Sequence, residues 1–283
     1  MTIVATLLAA AVARLRAAGV ESAPLEAQLL LARVLRQDRV WLAVNRDRAV
    51  AAADRARFER MVRQRCTRKP LQQILGETEF YGRRILVNRS VLVPRPETEL
   101  LVGQVAERWR PRYRRVLDIG TGTGCIAVAL ALELPRARIT ATEISARALA
   151  VARRNVERHG LSRRIELAKA DLFPPGRVRF DVVVSNPPYI PTRQIPGLQP
   201  EVARYEPVTA LDGGSDGLSF YRRISARLGS ALAPGGLLAL EVGDGQAAAV
   251  RDIVRCALPS AAVGTVDDYR GTPRIVVASV PQR

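Results

Sequence analysis

Val116-Leu117-Asp118-Ile119-Gly120-Thr121-Gly122-Thr123-Gly124 decides the fold. A short apolar strand runs into three alternating glycines and then into a helix expected over residues 125–133. Glycines, lacking a Cβ, let a ligand approach the backbone closely. Nicotinamide enzymes use such a turn too, but with glycines spaced G-x-G-x-x-G. Here the residue three beyond Gly122 is Cys125, and the glycines alternate strictly. Asp118 at the strand end suits a ligand bearing an ammonium and a sulfonium better than a pyrophosphate. Asp118, Gly120, Thr121, Gly122, Thr123 and Gly124 are the candidate cofactor cradle.

Outward from this turn, short apolar segments alternate with helical ones. Strands are expected at 115–119, 138–143, 165–168, 181–185 and 236–242, with 262–266 and 274–280 pairing as a final antiparallel hairpin. Such alternation predicts an α/β, doubly wound, mostly parallel sheet, with ligands beyond the carboxyl ends of its strands. Glu143 ends the second strand about 20 residues past the glycines, placed to accept both ribose hydroxyl hydrogens. Asp171, after the third, is placed for an adenine amino group, with Leu172 beside the ring.

The strand 181–185 runs into Asn186-Pro187-Pro188-Tyr189. A planar NH₂ group is a poor nucleophile, because its lone pair is delocalised into the π-system. A site can help by accepting both N–H hydrogens and drawing the nitrogen toward a tetrahedral form. The Asn186 side-chain oxygen and the Pro187 carbonyl are two such acceptors, held by prolines of fixed φ. Tyr189 offers an aromatic face to the planar group. Asn186, Pro187 and Tyr189 are the candidate catalytic residues, and Asn186 also borders the cofactor cradle.

The first 75 or so residues read as helices only. Ala27, Leu30, Leu31, Val34 and Leu35 form one apolar stripe, with Pro24 in the first turn. Phe58, Met61, Val62 and Cys66 repeat the pattern. Pro70 opens a short turn stopped by Gly76, and residues 79–87 look like a hairpin turning near Gly82 and Arg83.

Composition narrows the class. The chain has 283 residues, 48% of them apolar, which suits two domains. The apolar run at residues 3–11 is interrupted by Arg14 and Arg16, short of the roughly 20 residues a membrane span needs. Without a preceding basic segment it does not read as a signal peptide. Cys66, Cys125 and Cys256 are widely spaced, which fits a reducing cytoplasm better than disulfides or a zinc cluster. His159, the single histidine, sits at a predicted helix C-terminus, where the helix dipole favours a cation, so hydrolytic triads and histidine-rich metal sites are poorly supplied. The net charge of +17 invites a nucleic-acid reading. Yet only Lys69 and Lys169 among the 44 basic residues are lysine, a bias of coding, and the arginines are spread along the chain. Nucleic acid is not the expected direct substrate.

The sequence resembles the release-factor glutamine methyltransferases (the PrmC/HemK family) over nearly its whole length. The likeness rests on the glycine turn and Asn186-Pro187-Pro188-Tyr189, with Gly76-Glu77-Thr78-Glu79-Phe80-Tyr81-Gly82 and Val93-Pro94-Arg95-Pro96-Glu97-Thr98-Glu99. It continues in Arg204-Tyr205-Glu206-Pro207-Val208-Thr209-Ala210-Leu211. The resemblance implies a small all-α docking domain (1–76), a β-hairpin linker (77–93) and a seven-stranded class I methyltransferase domain (94–283). It implies S-adenosyl-L-methionine as cofactor and peptide chain release factors as partners in the cytoplasm. The product would be N5-methylglutamine in their Gly-Gly-Gln loop, formed by direct in-line transfer. Arg95, Glu97 and Glu206 would shape the entry channel, with Pro188 beside the substrate. Glu143 stands where the family more often has Asp, and Leu172 where some relatives carry an aromatic. Two alternatives stay open at this point: an adenine-N6 DNA methyltransferase, whose amino group poses the same electronic problem, and a non-enzymatic ribosome- or RNA-binding protein with a vestigial cofactor fold.

Overall fold

The computed structural model describes residues 2–282, and the chain divides into two compact units. The first comprises the residues through Gly76 together with Gln199–Tyr205. Its helices are α1 (Val4–Ala17), α2 (Ala23–Leu35), α3 (Arg39–Val44), α4 (Ala52–Cys66) and α5 (Leu71–Leu75). Ala27, Leu30, Leu31 and Val34 of α2 are buried in one cluster with Phe58 and Val62 of α4, and Leu35, Met61 and Cys66 lie half-buried against it. Asp38 caps α3 by accepting from the Trp41 amide at 2.7 Å. Gly76 ends α5 at φ 81°.

Ion pairs explain why a distant segment belongs to this unit. Glu201 accepts from Arg68 Nε at 2.5 Å and lies 2.9 Å from Arg65, while Gln73 donates to the Tyr205 carbonyl at 3.1 Å. Arg68 and Glu201 are 133 residues apart in the chain, so no local pattern announces the pairing.

The second unit opens with the hairpin β1 (Glu77–Phe80) and β2 (Arg83–Leu86), which pair antiparallel. Read from sequence as a linker, this hairpin is part of the second unit's core. Phe80 and Ile85 are buried there, and the Tyr81 amide donates to Glu99 at 2.7 Å. Asn155 accepts from the Leu86 amide at 2.7 Å and donates to its carbonyl at 3.0 Å.

The remaining elements are α6 (Pro96–Glu107), β3 (Arg115–Ile119), α7 (Cys125–Glu133), β4 (Arg138–Glu143), α8 (Ala146–Arg158), β5 (Ile165–Lys169), β6 (Phe180–Ser185), α9 (Pro200–Tyr205), α10 (Ser219–Ala231), β7 (Leu232–Glu241), α11 (Ala247–Ala257), β8 (Ala262–Asp267) and β9 (Pro273–Ser279). The short α9 is the segment held by the helical unit. The sheet runs β5-β4-β3-β6-β7-β9-β8, parallel except where β9 pairs with β7 and β8. Strand β7 starts earlier than expected because Leu232 pairs with Phe180 before the register shifts, and regular pairing resumes at Leu237 opposite Val182. Ala233-Pro234-Gly235-Gly236 absorbs the slip, as proline and glycine do at strand irregularities.

β3 is buried on both faces of the sheet, with Val116 in one apolar cluster and Leu117 and Ile119 in the other. Winding goes outward through β4 and β5 on one side of β3, then returns to place β6 on the other. The carboxyl ends of β3 and β6 flank that switch point, where doubly wound sheets bind their ligands. Among the described residues, no helix is long and apolar enough to cross a membrane.

Candidate active site

A cavity of about 380 Å³ opens at the switch point. On the β3 and β4 side it is lined by Ile119, Gly120, Gly122, Glu143 and Ser145. Gly120 has φ 72°, and no atom lies within 4 Å of where its Cβ would stand, so the turn leaves an open cradle. The Gly120 and Thr121 amides both donate to the Thr142 carbonyl at 2.9 Å, fixing the turn to the end of β4. Glu143 then closes it: one oxygen accepts from the Gly122 amide at 3.1 Å, the other from Ser145 at 2.9 Å. Each oxygen keeps a second lone pair, and the residue lines the cavity. An acceptor held this rigidly beside a glycine cradle fits a ligand with vicinal hydroxyls.

Asp118 has a different place from the one its sequence position suggests. It is fully buried, does not line the cavity, and accepts from Thr121 Oγ1 at 2.6 Å through Oδ2, while Oδ1 has no hydrogen-bond partner among the described residues. Burial pushes its carboxyl up to about 7. Its work is to hold the turn from beneath. Thr121, Thr123 and Gly124 are likewise buried behind the cradle: Thr123 Oγ1 accepts from the Cys125 amide at 3.3 Å, and a Cβ on Gly124 would stand 3.3 Å from that of Ala152.

Asp171 and Leu172 both line the cavity. Leu172 takes the left-handed conformation at φ 68°, and its carbonyl accepts from Thr142 Oγ1 at 2.5 Å. Asp171 pairs with Arg223 of α10 at 2.6 Å. Phe220, one turn earlier on α10, adds an aromatic wall to the cavity, with the Arg223 guanidinium 5.4 Å from its ring centre. Nothing local in the sequence links residue 220 to the third strand, so Leu172 is the one residue of this wall that the sequence announces.

The other wall is Ser185, Asn186, Pro187 and Pro188. Ser185 Oγ donates to the Ile119 carbonyl at 2.8 Å, tying β6 to β3. Asn186 Nδ2 donates to Thr98 Oγ1 at 3.0 Å, so the amide's nitrogen is turned toward α6. Downstream, the loop is stapled to 211–213 by the Ile190 amide to the Leu211 carbonyl at 3.0 Å and the Gly213 amide to the Ile190 carbonyl at 2.8 Å. Tyr189 is not among the lining residues. Its carbonyl accepts from Gln246 at 2.9 Å and its ring packs on the β7 side, where a Cβ on Gly243 would come within 2.9 Å of it. Burial pushes its phenol up to about 12, and the charge of Glu241 adds to this.

Arg95 and Glu206 meet each other at 2.6 Å, and the Val93 amide donates to the same carboxylate at 3.3 Å. The Glu206 side chain is buried, so it anchors the 93–95 segment and has no surface to offer a channel. Glu97 is exposed in the first turn of α6. Thr98 lies inside the Pro-Arg-Pro-Glu-Thr-Glu stretch, where nothing local announces that its hydroxyl accepts from Asn186, and Glu241 is a buried carboxylate closing an apolar strand.

Residues 6–76 match the PrmC N-terminal domain family and residues 96–197 the methyltransferase small domain family. A release factor glutamine methyltransferase of Geobacter sulfurreducens is 50% identical over 233 residues, 82% of this chain and 81% of its own. This chain belongs to the release factor glutamine methyltransferase family. Another member, from Moorella thermoacetica, is 42% identical with 96% of both chains covered. A solved methyltransferase from Pyrococcus furiosus shares the fold, at 21% identity and TM-score 0.52 over 70% of this chain and 88% of that one. The seven-stranded class I methyltransferase architecture expected from sequence is the one observed.

Proposed function

We propose that this enzyme methylates the side-chain amide nitrogen of the glutamine in the Gly-Gly-Gln motif of peptide chain release factors. S-adenosyl-L-methionine supplies the methyl group and is left as S-adenosyl-L-homocysteine, while the amide nitrogen gives up one hydrogen as a proton to solvent. The observation that carries the reading is the seat of Asn186. It lines the same cavity as Gly120, Gly122 and Glu143, with its nitrogen tied back to Thr98. Asn186 Oδ1 accepts one N–H of the glutamine amide and the Pro187 carbonyl accepts the other, which concentrates electron density on the nitrogen. Preorganised acceptors of this kind act without reorganising at the moment of reaction.

Glu143 receives the ribose hydroxyls, and Asp171, Leu172 and Phe220 enclose the adenine. Tyr189, neutral across the physiological range, backs the Asn-Pro-Pro loop as a packing residue. Glu97 stands exposed where an incoming loop would pass. A Gly-Gly-Gln loop suits so confined a site, because glycines slim the backbone and allow unusual angles. The enzyme works in the cytoplasm, and nucleic acid is not its direct substrate.

The deciding experiment incubates the protein with radiolabelled methyl donor and, in parallel, intact release factor or duplex DNA. Label on the release factor is expected, mapped by mass spectrometry to the glutamine and lost when that glutamine is changed to glutamate. Label on adenine with none on the release factor would overturn the reading.

A further inference from the structure

Glu241 ends β7 beside the site and has no role in the mechanism above. Leu240 stands opposite Ser185 in the parallel pairing of β7 with β6, so Glu241 and Asn186 close adjacent strands side by side. The residue is 3% exposed, and its Oε2 accepts no hydrogen bond among the described residues. Thr98, which accepts from Asn186, and Asn186 itself both favour the ionised form of this carboxyl against the burial that opposes it. A buried carboxylate with an unsatisfied oxygen is an expensive object, and one placed behind a reacting group asks for an explanation.

We propose that Glu241 is a positioning residue: its carboxylate, directly and through Thr98, fixes which way the Asn186 amide faces, so that Oδ1 and not Nδ2 meets the substrate. The proposal rests on the reading of Asn186 given above. A primary amide is nearly two-fold symmetric in shape, and rotating it by half a turn exchanges an acceptor for a donor. In this site the exchange would set two N–H groups against each other. Thr98 can accept from Asn186 only by giving its own hydrogen elsewhere, and an ionised carboxylate can only accept. The chain Asn186 to Thr98 to Glu241 therefore has one polarity while Glu241 is charged. A protonated Glu241 can donate to Thr98, turn its hydroxyl toward Asn186 and admit the unproductive rotamer.

Burial raises the Glu241 carboxyl to about 7, with Glu97 pushing it the same way and Arg274 opposing. Tyr189, Tyr221 and Cys125 also feel its charge, but burial raises each of them, so they stay neutral around pH 7. Asp118 titrates in the same range from beneath the glycine turn, and only substitution separates the two.

The test follows the maximal rate of release-factor methylation from pH 5.5 to 8.5, at saturating cofactor, in wild type and variants. Wild type should lose turnover as pH falls through about 7. Glu241→Gln should abolish that acid limb and lower turnover at pH 8 roughly tenfold, on the scale of one hydrogen bond to a charged group. Cofactor affinity by calorimetry should be unchanged. Thr98→Val should reproduce the loss and Thr98→Ser restore turnover, which carries the test if Glu241→Gln fails to fold. Wild-type turnover with the acid limb intact in Glu241→Gln, or full turnover in Thr98→Val, overturns the proposal. Those results beside a crippled Asn186→Ala sink the positioning role alone, whereas full turnover in Asn186→Ala sinks the site reading and this proposal with it.

Discussion

The proposed donor half of the site, at the ends of β3 and β4, and the proposed acceptor half, at the ends of β6 and β7, each enclose a buried carboxylate with an oxygen that has no hydrogen-bond partner among the described residues: Asp118 in the first, Glu241 in the second. Beyond that they are built differently. The donor half is backbone. Three glycines with positive φ, two amides on the Thr142 carbonyl and the bracing of Glu143 all come from residues 118–145. The acceptor half is a meeting of side chains from α6, β6 and β7, with Arg95 and Glu206 holding the neighbouring segment. Binding a small cofactor needs shape, which a glycine turn supplies locally. Aiming one amide at a reacting nitrogen needs directed hydrogen bonds, and those come from elsewhere in the chain.

Substitutions at four positions probe that contrast. Asn186→Ala is expected to have the largest effect, cutting turnover about 10²–10³-fold, the scale of losing one preorganised polar group. Cofactor affinity should hold nearly steady, because the proposed work of the Asn186 side chain is on the substrate amide. A matching fall in cofactor affinity would merge the two halves into one. Glu143→Ala is the mirror case, weakening cofactor binding by roughly 1.5–3 kcal/mol as a charged hydrogen-bond acceptor is lost. Glu143→Asp should be mild. Calorimetry returning wild-type affinity for the alanine variant would remove Glu143 from the donor half.

Arg95→Ala strands the buried Glu206 carboxylate without its cation. The expected loss is about 1–3 kcal/mol in urea unfolding, less than for a wholly buried pair, because the Arg95 side chain is 36% exposed and partly screened. Unchanged stability with impaired release-factor binding would restore the pair to a channel role. Asp118→Asn should move cofactor affinity least, by under about threefold or 0.7 kcal/mol. Its signature lies in stability. Burial raises the Asp118 carboxyl to about 7, above the usual value near 3.9. Across that window the folded state holds the proton more tightly than the unfolded, so this group's contribution falls as pH rises. The variant should melt higher than wild type at pH 8, with the gain gone near pH 4. A large drop in cofactor affinity would make Asp118 a donor contact after all.

The contrast also explains what could be read in advance. The strand ends at Ile119 and Glu143, the helix from Cys125 and the late antiparallel hairpin were legible because period and glycine spacing are local signals. The start of β7 was missed because a register slip at Ala233–Gly236 depends on a partner, Phe180, more than 50 residues away. Tyr189 was read as a wall of the substrate pocket. It turned out to pack on the β7 side, since Gly243 opens space for its ring and Gln246 holds its carbonyl.

By itself the sequence determined the fold class, through the alternation of strands and helices, and it placed the glycine turn and the Asn186-Pro187-Pro188 element, each written in fewer than ten consecutive residues whose backbone preferences fix their shape. Only the tertiary structure decided what stands behind them: Asp118 under the turn, Phe220 across from Leu172, Thr98 and Glu241 behind Asn186, and the recruitment of Gln199–Tyr205 into the helical unit. The physical reason is that hydrogen bonds, ion pairs and burial are properties of pairs. A pair separated by 88 residues, as Thr98 and Asn186 are, leaves no trace in either neighbourhood until the sheet brings the two ends together.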